Sequence, residues 1–264
     1  MTTPAVLVLR AAGTNCERET AYAFERFGAR SNVMHVNRLL ESPDELQRHH
    51  VLALPGGFAY GDDAGAGAVL ACEMRSRLDQ PLRRFVAGGG LVLGICNGFQ
   101  ALVRLGLLPG LSDVLGVQEA SLADNDSLKY EDRWVRLGVT SRRCVFVGEM
   151  PAPELPLAHG EGRLVPLDEA VRRRLFDEDR VVFRYVDGQG QPTQRYPGNP
   201  NGSTDAIAGL TDSTGRVLGL MPHPERALFG FHHPAWTRQG GRVADLGPGA
   251  PLFANACDWV RENR

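Results

Sequence analysis

Short apolar runs punctuate the first hundred residues: AVLVLR at 5–10, SNVMHV at 31–36, VLALPGG at 51–57 and LVLGI at 91–95. Runs dominated by valine and leucine, with little polar alternation, suit strands covered on both faces. Between them the apolar positions recur at helical spacing. In GTNCERETAYAFERFG, Thr14 or Asn15 would cap a helix that Gly28 ends. A short SPDELQ helical turn follows, then AVLACEMRSRLDQPLRRFVAGGG, expected to break near Pro81, and finally NGFQALVRLGLL. Strands alternating with helices, with turn glycines at the strand ends, predict a parallel sheet with helices on both faces.

The pattern then changes. RWVRLGVTSRRCVFVG at 133–148 and RVVFRYVD at 180–187 alternate as antiparallel strands with one exposed face do, and residues 188–204 form a long turn-rich loop. AIAGLTDSTGRVLGLMPHPE reads as a hairpin turning at Ser213 to Gly215 that returns the chain to the core. No internal repeat or long linker divides the sequence. The expected fold is α/β: a single domain over residues 1–264 with a mostly parallel open sheet flanked by helices and an antiparallel extension.

A formal net charge of −2 offers no basic excess for nucleic acid. MTTPAVLVLR has no charged leader before its apolar segment and no apolar run reaches the length of a membrane span, so the expected compartment is the cytoplasm. Five cysteines, odd in number and scattered, read as reduced thiols without metal spacing. The pairs His49-His50 and His232-His233 read as surface positions, since adjacent side chains face apart, and the arginines of VRRRLF as a solvated helix face. Of 29 basic residues only Lys129 is a lysine, which excludes a Gly-Lys-Ser/Thr phosphate loop. GDDAGAGAVL also fails the dinucleotide fingerprint, because Leu70 stands where its third glycine belongs. ATP chemistry is therefore expected on another chain.

Candidate chemistry centres on GICNGFQ at 94–100. A core thiol needs no flanking glycines, whereas a nucleophile on a sharp strand-to-helix turn does; Gly94-x-Cys96-x-Gly98 is the thiol counterpart of the serine nucleophile elbow. Such a thiol needs an imidazole and a helix N-terminus to favour its anion. The helix beginning near Asn97 supplies the second. His223, bracketed by Pro222 and Pro224 in MPHPE, is the base candidate, and in extended backbone Glu225 would lie on the same side to orient it. The backbone N–H groups of Asn97 and of Gly57 in LPGGF are candidates for an oxyanion hole, with Gly56 letting backbone approach substrate. Cys16 in TNCE reads as structural, with a second reactive thiol at a helix N-terminus as the alternative, and His159 in AHGEGR is balanced between a satisfied loop histidine and a contact near the site or the partner.

PGGF, GICNGFQ and MPHPE, in that order, resemble the class I glutamine amidotransferases, whose Cys-His-Glu triad releases ammonia from glutamine. GGFAYGDDAGAGA, RWV at 133–135, AHGEGR, YPGNPNGS and MPHPER narrow the resemblance to the glutaminase subunits of phosphoribosylformylglycinamidine synthase, over residues 5–226. The first loop lacks the family's usual proline and Asp132 stands where a cysteine is common; neither touches the triad. The resemblance implies Cys96 as nucleophile, His223 as base, Glu225 as orienter and Gln100 as a substrate contact, with no metal and no cofactor in this chain. Its implied partners are glutamine, a separate synthetase subunit carrying ATP and Mg, and at most a small third subunit, with neither nucleic acid nor membrane. A stand-alone γ-glutamyl hydrolase or a glutaminase of another pathway would keep the triad, but AHGEGR and YPGNPNGS speak against both. A scaffold subunit would have no use for an intact Cys96, His223 and Glu225. The segment 227–249 carries no matching motif.

Overall fold

The computed structural model describes residues 2–112, 116–238 and 240–264. Strands β1 (Ala5–Arg10), β2 (Arg30–His35), β3 (Val51–Leu54) and β4 (Leu91–Ile95) alternate with helices α1 (Glu17–Glu25), α2 (Val36–Glu41) and α3 (Ala68–Ala87). Helix α4 (Asn97–Arg104) follows β4 directly. Next come β5 (Ala120–Asp124), β6 (Glu131–Val139), β7 (Glu154–His159), β8 (Glu161–Pro166), α5 (Glu169–Asp177) and β9 (Val181–Tyr185). The hairpin β10 (Ile207–Thr211) and β11 (Val217–Leu220) and the helix α6 (Ala250–Asn263) complete the chain.

Nine strands form one continuous sheet in the order β2-β1-β3-β4-β11-β10-β9-β6-β7. The pairs from β2 through β11 are parallel and those from β11 through β7 antiparallel, so the expected extension continues the parallel sheet rather than forming a separate layer. β1, β3, β4 and β11 are buried almost throughout, as parallel strands covered on both faces must be. The pair β5 and β8 makes a separate two-stranded ribbon. Phe24 of α1 meets Phe253 of α6 edge-on at 5.0 Å, fixing the C-terminal helix beside the first one.

Several local expectations change. α1 is preceded by Cys16, with no side-chain cap; Thr14 instead accepts from Ala11 N, and Asn15 takes the Cys16 thiol hydrogen. α3 runs unbroken through Pro81, whose carbonyl accepts from Gln47. A proline inside a helix costs about 3 kcal/mol. Burial of Met74, Leu78, Leu82 and Phe85 on either side of it outweighs that. The alternation at 133–148 yields a strand only as far as Val139; Cys144, Phe146 and Val147 are buried from a turn.

Candidate active site

Three chain segments converge beyond the carboxyl ends of neighbouring parallel strands, where open α/β sheets place their chemistry. β4 delivers Cys96, β3 delivers Gly56 and Gly57, and β11 delivers His223. Cys96 has φ 50 and ψ −104, outside both helix and strand regions, and its N–H donates to Leu220 O of β11 at 2.8 Å. The flanking glycines are steric requirements. A Cβ on Gly98 would stand 1.9 Å from the Leu54 carbonyl oxygen, and one on Gly94 2.8 Å from the Gly98 carbonyl oxygen. The turn closes only because both are absent.

His223 and Glu225 are buried and joined by a 2.6 Å hydrogen bond from Nδ1 to Oε1. The backbone reaches this geometry differently from the extended segment expected of Pro-His-Pro: Pro224–Ala227 is a 3-10 turn, and His223 N is anchored to Pro156 O of β7 at 2.7 Å. His223 Nε2 has no hydrogen-bond partner among the described residues. Burial alone would lower the proton affinity of this imidazole; the Glu225 carboxylate, then the Cys96 and Cys16 sulfurs, outweigh it and hold His223 well above its ordinary range. A cationic imidazole near a sulfur favours the anionic, nucleophilic form.

Cys96 lines a cavity of about 510 Å³ together with Gly57, Gln100, Ala158 and His159. Gly57, at φ 144, pairs with Thr14 in an isolated bridge whose hydrogen bonds run from Phe58 N and Asn15 N. Its own N–H takes no part in them. Asn97 opens α4, so its N–H lacks an intrahelical acceptor. Among the described residues neither of these N–H groups is engaged by another backbone group; Gly57 lines the cavity with Cys96, and Asn97 follows Cys96 in the chain. Gly56 departs from its expected place at the substrate. A Cβ there would lie 2.6 Å from His223 Cε1, so this glycine makes room for the imidazole instead of lining the cavity. Gln100 does line the cavity, with its amide tied to the Asn97 side chain and the Glu161 carbonyl.

His159 is buried, with Nδ1 on Asn125 Oδ1 at 3.1 Å and Nε2 facing the Asn201 amide at 3.5 Å. Burial, reinforced by His223, pushes its pKa down to about 3, so the ring is neutral. With Nδ1 as donor and Nε2 as acceptor it satisfies both asparagines. His49 bonds the Glu45 carbonyl, His50 receives Ala5 N, and His233 lies edge-on to Trp134.

Asp62, Glu161 and residues 128–130 also line the cavity and had no role in the sequence pattern; Glu161 stood in AHGEGR, but nothing local marked the others. That pattern also left Cys16 apart from the site. Its sulfur, His223 and Glu225 offer ligand atoms within 4.8 Å of one another. The Arg226 guanidinium donates to that sulfur at 3.0 Å and Glu225 already holds the imidazole, which makes this a hydrogen-bonded cluster and a poor cation site. The unmatched segment after 227 clasps the same loop, since Gly247 N and Gly249 N donate to Leu228 O and Ala227 O.

Residues 3–260 match the family model described as a CobB/CobQ-like glutamine amidotransferase domain. The chain is 44% identical over 257 residues to a phosphoribosylformylglycinamidine synthase subunit PurQ of Dehalococcoides mccartyi, covering 97% of each. The chain belongs to the PurQ family. A second member, from Archaeoglobus fulgidus, is 38% identical with 97% of each chain covered. The structure of PurLQS from Thermotoga maritima includes a chain 30% identical, with a TM-score of 0.72 over 98% of this chain and 100% of that one. The PurQ match thus runs through the 227–249 segment, which the motifs alone had left outside. A putative GMP synthase protein from Thermoplasma acidophilum, 15% identical with a TM-score of 0.55 over 99% of this chain and 98% of that one, shares the fold.

Proposed function

We infer that this chain hydrolyses glutamine to glutamate and ammonia and supplies the ammonia to a separate ATP-dependent synthetase subunit. That subunit would convert formylglycinamide ribonucleotide to formylglycinamidine ribonucleotide in purine biosynthesis. The observation that carries the chemistry is the buried His223–Glu225 pair, whose second imidazole nitrogen is not held by any oxygen or nitrogen among the described residues and which feels the sulfur of Cys96, presented on a strained strand-to-helix turn. Membership of the PurQ family supports the acceptor, and the similarity to PurLQS supports an assembly that includes a synthetase and a third subunit.

The Cys96 sulfur attacks the side-chain amide carbon of glutamine, and the oxyanion forms against the N–H groups of Gly57 and Asn97. His223, held in one tautomer by Glu225, passes its proton to the departing ammonia. Water then hydrolyses the thioester with His223 as base, releasing glutamate. None of these steps calls for a metal or cofactor in this chain; ATP and Mg belong to the synthetase. Among the described residues no helix is long and apolar enough to cross a membrane, and we place the reaction in the cytoplasm.

The test is glutamate release from glutamine by the purified chain with and without its synthetase, with Cys96→Ala as the blank. Release that requires Cys96 and rises with the synthetase supports the reading. If an assembled complex releases no glutamate, the reading is wrong.

A further inference from the structure

Asn97 is 2% exposed, and its side-chain amide makes three hydrogen bonds. Oδ1 accepts from Ala59 N at 3.0 Å, while Nδ2 donates to Asp62 Oδ1 at 2.9 Å and to Gln100 Oε1 at 3.0 Å. Two of these bonds cross to the loop that follows β3. The residue after the nucleophile therefore grips the loop that carries Gly57. Further along α4, Arg104 Nε donates to Ala66 O at 2.8 Å, and a Cβ on Gly67 would stand 2.7 Å from Ala101 N. Asn97, Ala101 and Arg104 lie on one helix face, so the loop is seated on the same helix that Cys96 introduces.

The gripped turn is strained. Tyr60, Gly61 and Asp62 take φ of 58, 72 and 56 in succession, and two of the three are not glycine. Each such residue costs about 1 kcal/mol or more and persists only where its surroundings over-determine it. Here Asn97 holds Asp62, Tyr60 N donates to Ala12 O at 2.7 Å, and the Tyr60 hydroxyl donates to Glu73. On the other side of Gly57 the Gly56 carbonyl accepts from Cys16 N at 3.3 Å and from Asn15 N at 3.4 Å. In a trans peptide the Gly57 N–H points opposite to that carbonyl. The start of α1 thus sets how this N–H is turned, and the Asn97 side chain ties the backbone that follows it to the nucleophile's own helix.

Building on the glutaminase reading, we propose that Asn97 is a positioning residue whose side chain, by holding Ala59 N and Asp62, sets the spacing between the Gly57 N–H and its own N–H, the two donors that receive the oxyanion. Attack on the amide and hydrolysis of the thioester both build that oxyanion, so a misplaced donor slows turnover without weakening the ground-state complex.

The test uses the complex of this chain with its synthetase and measures glutamate release from glutamine. In parallel, iodoacetamide alkylation is followed on the peptide that contains Cys96; displacement of iodide by the sulfur builds no oxyanion. In Asn97→Ala, kcat falls about hundredfold while KM and the alkylation rate stay within about twofold of wild type. Asp62→Ala leaves the Ala59 bond in place and cuts only the second tie; its kcat falls about tenfold with the same two quantities unchanged, and it carries the test if Asn97→Ala does not fold. Ammonia-dependent synthesis by the partner stays at the wild-type level in both. Unchanged kcat, a rise in KM, or alkylation of Cys96 that slows in step with kcat overturns the assignment. A wild-type complex that releases no glutamate would instead sink the glutaminase reading and this one with it.

Discussion

His159 offers a quantitative check on the electrostatics beside the site. Its ring is buried and neutral, with a pKa pushed from the ordinary 6.5 down to about 3, first by burial and then by His223. In the unfolded chain the ring regains its ordinary value, so between those two values the unfolded state binds more protons than the folded one. Stability must therefore fall as pH drops through 6.5 toward 3. At about pH 5 the unfolded value lies about 1.5 units above the pH, and the contribution is about 2 kcal/mol lost relative to neutral pH. His223 acts with the opposite sign: its raised proton affinity stabilises the fold below the unfolded value and is lost as pH rises through the folded one. Comparing wild type with His159→Gln cancels that term. The glutamine amide can still donate to Asn125 Oδ1 and accept from Asn201, the roles of the two ring nitrogens. Guanidinium unfolding at about pH 7.5 and pH 5, at constant ionic strength, should show wild type losing about 2 kcal/mol more than the variant. Equal losses in the two proteins would refute the neutral, buried assignment of His159.

Two further outcomes follow from the geometry. Glu225→Gln keeps the shape of the 2.6 Å contact but removes the charge that sustains the imidazolium, and should lower glutamine-dependent turnover on the order of a hundredfold or more. Ammonia-dependent synthesis by the partner should be unaffected, and a loss of both would contradict the division of labour. Gly98→Ala places a Cβ 1.9 Å from the Leu54 carbonyl and forces α4 away from β3; a loss of about 3 kcal/mol in denaturant unfolding, with loss of glutaminase activity, is expected, and a stable, active variant would show that the elbow can relax.

What the sequence determined by itself was local chemistry with a steric or covalent signature. Two glycines around Cys96, a histidine between prolines and a diglycine after a strand are legible because each meets a demand set by its immediate backbone. The parallel half of the sheet was legible for a similar reason: continuous apolar runs have no other use in a chain of this composition. Tertiary structure decided the rest. β7 contains Pro156 and does not read as a strand, yet as the edge of the nine-stranded sheet it tolerates a missing donor, and the Pro156 carbonyl anchors His223. Pro81 stays within a helix because its neighbours are buried, which no local pattern reveals. Cys16, 207 residues before His223, joins His223 and Glu225, and Asn125 ties the Lys129 and His159 carbonyls together beside the cavity, only once distant segments have packed. Local backbone demands are written in neighbouring residues; a cavity wall assembled from four separate stretches has no such neighbours to record it.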